Sequence, residues 1–384
     1  MSIKKIYPKA TIGIFGGGQL GRMLAQAAKK IGYNIITLDP IPNSPCAQIA
    51  DEQIVAAFDD YGAAERLAEQ SDVLTYEFEN VNADIIEHLE KKGNTVFPSS
   101  TVLRITQNRI KEKEFLKKIG ISVTDFRAIV RRSHLEEAKE ELGLPAMLKT
   151  ATGGYDGKGQ ILLNTEEDIL DVPQDLFLKE LIWERYVPFI KEISVICARG
   201  ASNELITFPV SENVHRDNIL YTSTVPARIP AEVEKKATDI ARRISERLEV
   251  IGVIGVEMFL CEDGIILVNE IAPRVHNSGH YTIEACYTSQ FEQHIRAICG
   301  LPLGRTELLS PVAMINILGE GKGQGGDFLV GVEKVLSIPG ISLHLYGKER
   351  ARAGRKMGHL TVLADSVLEA VSRAKKAIEM LSWE

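Results

Sequence analysis

Residues 10–97 alternate short apolar runs with helical patterns, which commits this part of the chain to a parallel, doubly wound sheet. The run Thr11–Phe15 has the unbroken apolar character of a strand buried on both faces. GGGQLG follows at 16–21, then a helical pattern from Arg22 to about Lys30. NIITLD (Asn34–Asp39) reads as a second strand and Val73–Tyr76 as a third, the latter running into Glu77-Phe78-Glu79. Gly16, Gly18 and Gly21 thus form a G-x-G-x-x-G pattern between strand and helix, and Asp39 closes the next strand, where dinucleotide-binding folds carry an acidic ribose ligand. Amides at such a helix start hold any phosphate, however. On this motif alone a dinucleotide, another phosphorylated ligand and a plain tight turn stand level.

A second unit starts near Gln107. Arg109–Ile119 has the pattern of a charge-rich amphipathic helix, and LPAMLKT (144–150) that of a short strand. TGGYDGKGQ (152–160) is too rich in glycine for regular structure. Residues 178–187 and 191–198 read as strands, Val233–Leu248 as a helix, Val253–Leu260 and Ile265–Glu270 as a hairpin, and Gln290–Cys299 as a helix. From residue 310 onward come short strands, a basic loop at 347–358 and a closing helix at 366–381. With 384 residues, too many for one core, the expected division is 1–107, 108–305 and 306–384.

A net charge of −7 gives no chain-wide basic field for nucleic acid, so any anion site must be a local cluster of Lys and Arg. The five cysteines are scattered without CxxC spacing, which suggests neither a disulfide framework nor a zinc site. The opening residues read as a first strand rather than a signal peptide, and no apolar stretch is long enough to span a bilayer. The expectation is a reducing cytoplasm, with no nucleic-acid or membrane partner.

Two patterns carry chemistry. Lys149 ends an apolar strand and is followed by Gly153, Gly154, Gly157 and Gly159, a loop that can fold over phosphates while the lysine supplies a point charge. Asp263-Gly264 is a two-residue turn signal between apolar runs. If those two residues form the loop, Glu262 pairs with Ile265 and Glu257 lies opposite Glu270. Like charges across a ladder are destabilising unless a cation lies between them, and acids plus nucleotide phosphates are the oxygen donors magnesium takes. Asn269 adds a ligand if the strand end bends.

KTATGGYDGKGQ, ERYVPFIKEIS, VEMF…VNEIAPRVHNSGHYT followed by SQFEQH, and YGKERARAGRKMGH together resemble the 5-(carboxyamino)imidazole ribonucleotide synthases, ATP-grasp enzymes of bacterial purine synthesis. The resemblance runs from GGGQLGR to the last basic loop. It implies an ATP-grasp fold, α/β and α+β, with a Rossmann-like N-terminal domain, a lid at about 120–185 and a small β-rich C-terminal domain.

Carried over by position, the resemblance implies that Arg109 and Lys149 hold ATP phosphates beneath the loop Gly154, Tyr155, Asp156, Gly157, Lys158, Gly159 and Gln160. Glu184, Arg185, Tyr186 and Val187 would lie beside adenine, Glu192 would accept hydrogen bonds from ribose hydroxyls, and His215 would stand near the nucleotide. Glu257, Asn269 and Glu270 would bind magnesium and the transferred phosphate. Gln19, Leu20, Glu77, Tyr155, Arg274, His276, Lys348, Arg355 and Lys356 would take aminoimidazole ribonucleotide, with Arg274, His276 and Lys149 nearest the chemistry. ATP, Mg2+ and bicarbonate complete the implied set, and the implied assembly is a homodimer. Other readings are a formate-using glycinamide ribonucleotide formyltransferase, a biotin carboxylase relative, a nicotinamide-dependent oxidoreductase resting on the first glycine loop, and a nucleotide sensor.

Overall fold

The computed structural model describes residues 5–154, 159–320 and 328–384. Thr11–Phe15 (β1), Asn34–Leu38 (β2), Glu52–Ile54 (β3) and Val73–Tyr76 (β4) form a parallel sheet in the order β3-β2-β1-β4. β3 is only three residues long and carries two polar residues, which is why no apolar run betrays it. The first helix begins at Gln19, three residues before its apolar pattern, because Gly18 is its N-cap.

Phe126–Ile129 (β5), Ala146–Thr150 (β6), Gln160–Leu163 (β7) and Leu181–Arg185 (β8) make an antiparallel sheet in the order β5-β8-β6-β7. Its core gathers Leu148, Leu163 and Trp183. Residues 174–178, partly assigned to a strand by sequence, form a short 3-10 helix.

The largest sheet has nine antiparallel strands: Lys191–Arg199 (β9), Leu205–Thr207 (β10), Ser211–Arg216 (β11), Ile219–Val225 (β12), Gly252–Leu260 (β13), Ile266–Ala272 (β14), Val312–Leu318 (β15), and, beyond the short strand Leu329–Val330 (β16), Ile341–Leu345 (β17) and Lys356–Leu363 (β18). Their order is β14-β13-β9-β11-β12-β15-β18-β17, with β10 on β9. Strands on both sides of residue 306 therefore share one sheet. β16 pairs separately with Ser382–Trp383 (β19).

Helix Ala231–Arg247 covers one face of this sheet because Val233, Ala237, Ala241 and Ile244 recur at four, four and three residues and are all buried. A fully buried Ile such as Ile244 contributes roughly 1.5–3 kcal/mol. Helix Gln290–Ile298 joins the parallel sheet to the large one. Phe291, Ile295 and Ile298 share a core with Leu24, Ala25 and Ala28 of helix Gln19–Lys30. His294 locks the junction: its Nε2 lies 2.8 Å from Thr75 Oγ1, and its Nδ1 accepts the Val253 N–H at 3.1 Å. The parallel sheet and β13 are thereby joined through one core. Among the described residues no helix is long and apolar enough to cross a membrane.

Candidate active site

The glycine loop makes room for the protein's own carboxylates. Glu77 accepts the Gly18 N–H and, at 2.6 Å, the Gly21 N–H, while Asp39 accepts the Gly17 N–H at 2.7 Å and the Ile41 N–H at 2.8 Å. A Cβ on Gly18 would lie 2.4 Å from Glu77 Oε1, and one on Gly16, whose φ is +101°, 2.5 Å from Glu77 Cγ. The N–H groups of Gly16, Gly17, Gly18 and Gly21 are thus spent internally, which takes the glycine donors away from a pyrophosphate and weakens the nicotinamide reading. Glu77 acts as a helix cap supplied from β4. Burial raises its pKa, and the Gly21 and Gly18 N–H bonds pull it back. Leu20 points into the core, which leaves only its backbone to meet a ligand, whereas Gln19 beside it is partly exposed.

The hairpin brings the two acids opposite each other by a route other than the expected one. Cys261 N–H bonds Ile265 O, so the turn holds three residues, Glu262-Asp263-Gly264, with Gly264 at φ +76°. That shifts the register by one, and Leu260 pairs with Ile266. A β-bulge at Asn269 then shifts it back, so Glu257 pairs with Glu270. Because of the bulge, Asn269 and Glu270 both oppose Glu257 and share the partly exposed face, while Val268 and Ile271 point into the core. Burial, and next the charge of Glu270, push the Glu257 carboxyl up to about 8. This is a pair of oxygen donors that a divalent cation would stabilise.

His276 faces this pair, with its Nε2 3.2 Å from Glu257 Oε1 and its Nδ1 accepting the Ser278 N–H at 3.3 Å. Burial, then the positive charges of Arg274 and Lys356, hold its pKa well below the usual imidazole range, so the ring is neutral. Its backbone is gripped at both polar groups by Gln290, at 2.9 and 2.7 Å. Arg274 donates from Nε to Glu79 at 2.5 Å. Burial would raise the Glu79 pKa, but Arg274 outweighs it and keeps the carboxylate ionised.

On the lid side, Lys149 Nζ lies 2.7 Å from Glu184 Oε2, and Arg109 donates to the carbonyls of Thr150 and Gly153 at 3.0 and 2.7 Å. Gly154 and Gly159 take φ values of +79° and +77° at the two ends of the loop, and Gln160 starts β7. Tyr155, Asp156, Gly157 and Lys158 lie outside the described residues. The N–H groups of Arg185 and Tyr186 bond Asp125 O and Pro145 O, so a base docked on this strand must use other groups. Arg185, Tyr186 and Val187 line a cavity of about 500 Å³ that also reaches Thr124 and Leu267. Glu192 and His215, from β9 and β11, are hydrogen-bonded to each other, and this raises the His215 pKa against the effect of burial.

The basic stretch is only in part a loop. Lys356 opens β18, and Lys348 Nζ donates to its carbonyl at 2.6 Å. Arg355 donates to Arg350 O at 3.0 Å. Gly354 takes φ +70°, but Gly358 is required for another reason: its Cβ would lie 2.4 Å from His344 O on β17. Lys356 stands close enough to Glu257, His215 and His276 to perturb all three, and Lys348 does the same to Glu77. Lys356 and Lys348 thus lie within electrostatic reach of these groups. Glu79, Glu112, Lys113, Ser278 and Gln290 were not singled out by sequence reasoning as site residues. Lys113 was findable, since it lies three residues from both Ile110 and Leu116 on the helix's buried stripe.

A lysine beside a glycine loop, a carboxylate pair on a hairpin and a parallel-sheet domain behind them define an ATP-grasp ligase. Family models agree along the chain: a ribonucleotide synthetase preATP-grasp domain at 9–107, an ATP-grasp domain at 114–291 and a phosphoribosylaminoimidazole carboxylase C-terminal domain at 312–373. The N5-carboxyaminoimidazole ribonucleotide synthase of Bacillus subtilis is 46% identical over 364 residues, covering 94% of each chain. The ADP complex of an N5-carboxyaminoimidazole ribonucleotide synthetase matches with a TM-score of 0.91 at 50% identity, covering 98% of both chains. The Aspergillus clavatus synthase, solved with ADP and 5-aminoimidazole ribonucleotide, matches with a TM-score of 0.89 at 36% identity over 98% of this chain and 99% of that one. The chain belongs to the N5-carboxyaminoimidazole ribonucleotide synthase family.

Proposed function

We propose that this cleft carries out the ATP- and bicarbonate-dependent carboxylation of 5-aminoimidazole ribonucleotide in purine biosynthesis. A bicarbonate oxygen attacks the γ-phosphorus of ATP, giving carboxyphosphate and ADP. The exocyclic amine then bonds to the carboxyphosphate carbon, or to carbon dioxide released from it; phosphate leaves and the amine loses a proton. The observation that carries the reading is the Glu257–Glu270 pair with Asn269 bulged onto the same face. Its oxygen donors fit Mg2+, which when bound would neutralise charge on the phosphates.

Lys149 supports the transferring phosphoryl group from the lid side, with Arg109 at the loop base. Glu184 to Val187 border the base, and Glu192 with His215 the ribose. His276, held by Gln290, presents Nε2–H beside the acids, and Arg274, held by Glu79, places a fixed cation near the carboxylate being transferred. Glu77, the backbone at Gln19 and Leu20, Lys348, Arg355 and Lys356 position the ribonucleotide. Closure of the lid loop over the bound substrates would exclude water from carboxyphosphate.

The same reading divides the chain at 107/108 and 305/306 and takes a homodimer of the cytoplasm. Five unpaired cysteines support the reducing compartment, and the dimer rests on family membership. The test is transfer of labelled carbon from 13C-bicarbonate to the ribonucleotide, followed by NMR. Label on the exocyclic nitrogen is expected, and labelled formate entering in place of bicarbonate would overturn the reading.

A further inference from the structure

The metal face is carried on an edge strand. β14 has β13 on one side only, so its outward backbone groups need partners other than a strand. Up to Val268 the connecting segment provides one, since the Val268 N–H donates to Ser122 O at 2.9 Å. Beyond it, at the bulge, two consecutive side chains of helix Arg109–Lys118 take over. Glu112 Oε2 accepts the Ile271 N–H at 2.9 Å, and Lys113 Nζ donates to the Asn269 carbonyl at 3.2 Å. The two bonds flank Glu270, one at the Asn269 carbonyl and one at the Ile271 N–H. Both side chains are buried, Lys113 completely. Lys113 Nζ also lies 3.2 Å from Glu184 Oε1, whose other oxygen binds Lys149.

A bulge leaves its strand locally free to change pairing, and a one-residue slip here would carry Glu270 to the other face. We infer that Glu112 and Lys113 are positioning residues that fix the β14 bulge, hold Asn269 and Glu270 on the metal face, and through Lys113 tie that face to the nucleotide strand β8. Each acts through a backbone group beside a proposed ligand, as partners behind metal ligands do elsewhere. The inference rests on the metal reading above.

Mn2+ is the probe, titrated against the protein with saturating ADP while free ion is counted by electron paramagnetic resonance. Glu112→Leu removes the acceptor and should weaken Mn2+ binding about tenfold, while the KM for aminoimidazole ribonucleotide stays within about twofold. Glu112→Gln keeps an acceptor oxygen and should bind within about threefold of wild type, a rescue that a need for charge would not allow. Lys113→Met should weaken Mn2+ about tenfold and raise the KM for ATP as well, because Nζ touches both strands. Wild-type Mn2+ affinity in Glu112→Leu overturns the inference, as does Glu112→Gln behaving like the leucine variant. If the leucine variant does not fold, Lys113→Met with unchanged Mn2+ affinity overturns it. Glu270→Gln separates the two levels: unchanged Mn2+ binding there refutes the metal reading, whereas a loss there with none in the helix variants refutes only the positioning role.

Discussion

Adding one methyl group at Gly18 tests the claim that the glycine loop is built around Glu77. Gly18 has φ −76°, so alanine brings no backbone strain, and whatever follows comes from the contact. The new Cβ would lie 2.4 Å from Oε1, 3.0 Å from Oε2 and 3.1 Å from Cδ of Glu77. To regain ordinary contact the carboxylate must retreat by about 1 Å, taking its 2.6 Å bond from Gly21 N out of hydrogen-bond range. The bond from Gly18 N goes with it. Two charge-assisted bonds at roughly 1.5–3 kcal/mol each, offset by relief of a buried charge, leave about 3 kcal/mol. Native-state hydrogen exchange reads this locally: protection of the Gly21 amide should fall more than about a hundredfold in Gly18→Ala, while amides of Ala231–Arg247 are unaffected. Protection at Gly21 within about threefold of wild type would refute the argument and reopen the loop as a ligand-phosphate cradle.

Three further outcomes are expected. Glu270→Gln should abolish ligation in a folded protein, checked by turnover across a magnesium titration with circular dichroism as the control. Lys356→Ala should raise the KM for aminoimidazole ribonucleotide about tenfold, roughly 1.4 kcal/mol, and leave the KM for ATP unchanged. Glu184 is lowered to about 2 from 4.5: burial opposes the shift, but the charges of Lys113 and Lys149 outweigh it. The stabilisation is therefore complete above pH 4.5 and is lost as pH falls toward 2. Between about pH 4.5 and 3 the wild type should lose roughly 1.5 kcal/mol more stability than Glu184→Gln, measured by urea unfolding at each pH.

What the sequence made legible follows the range of the physics involved. The β1–glycine–helix unit is local, and apolar pattern and turn chemistry were enough to find it. Its occupant was not visible, because Glu77 stands 59 residues from Gly18 and nothing near the loop marks it. The Glu257–Glu270 pairing came out through two errors that cancelled. A three-residue turn replaced the two-residue one, and the bulge at Asn269 restored the register. Hydrophobic alternation reports which face a residue lies on, but a bulge shows in sequence only as a break in that alternation, here Asn269-Glu270 between Val268 and Ile271. Glu112 and Lys113 were not set apart from the other charges of the amphipathic helix, although Ile110, Lys113 and Leu116 form one stripe. That β15, β18 and β17 extend the central sheet depends on long-range pairing, which composition and spacing do not encode.

In the proposed reaction bicarbonate links a nucleotide site to a ribonucleotide amine within one cleft. Phosphate release from ATP tests it most directly, measured with magnesium and bicarbonate in the presence and absence of aminoimidazole ribonucleotide. Release should depend strongly on both bicarbonate and the ribonucleotide, with phosphate and ADP formed in equal amounts. Release at the same rate without the ribonucleotide, or in response to formate instead of bicarbonate, would contradict it.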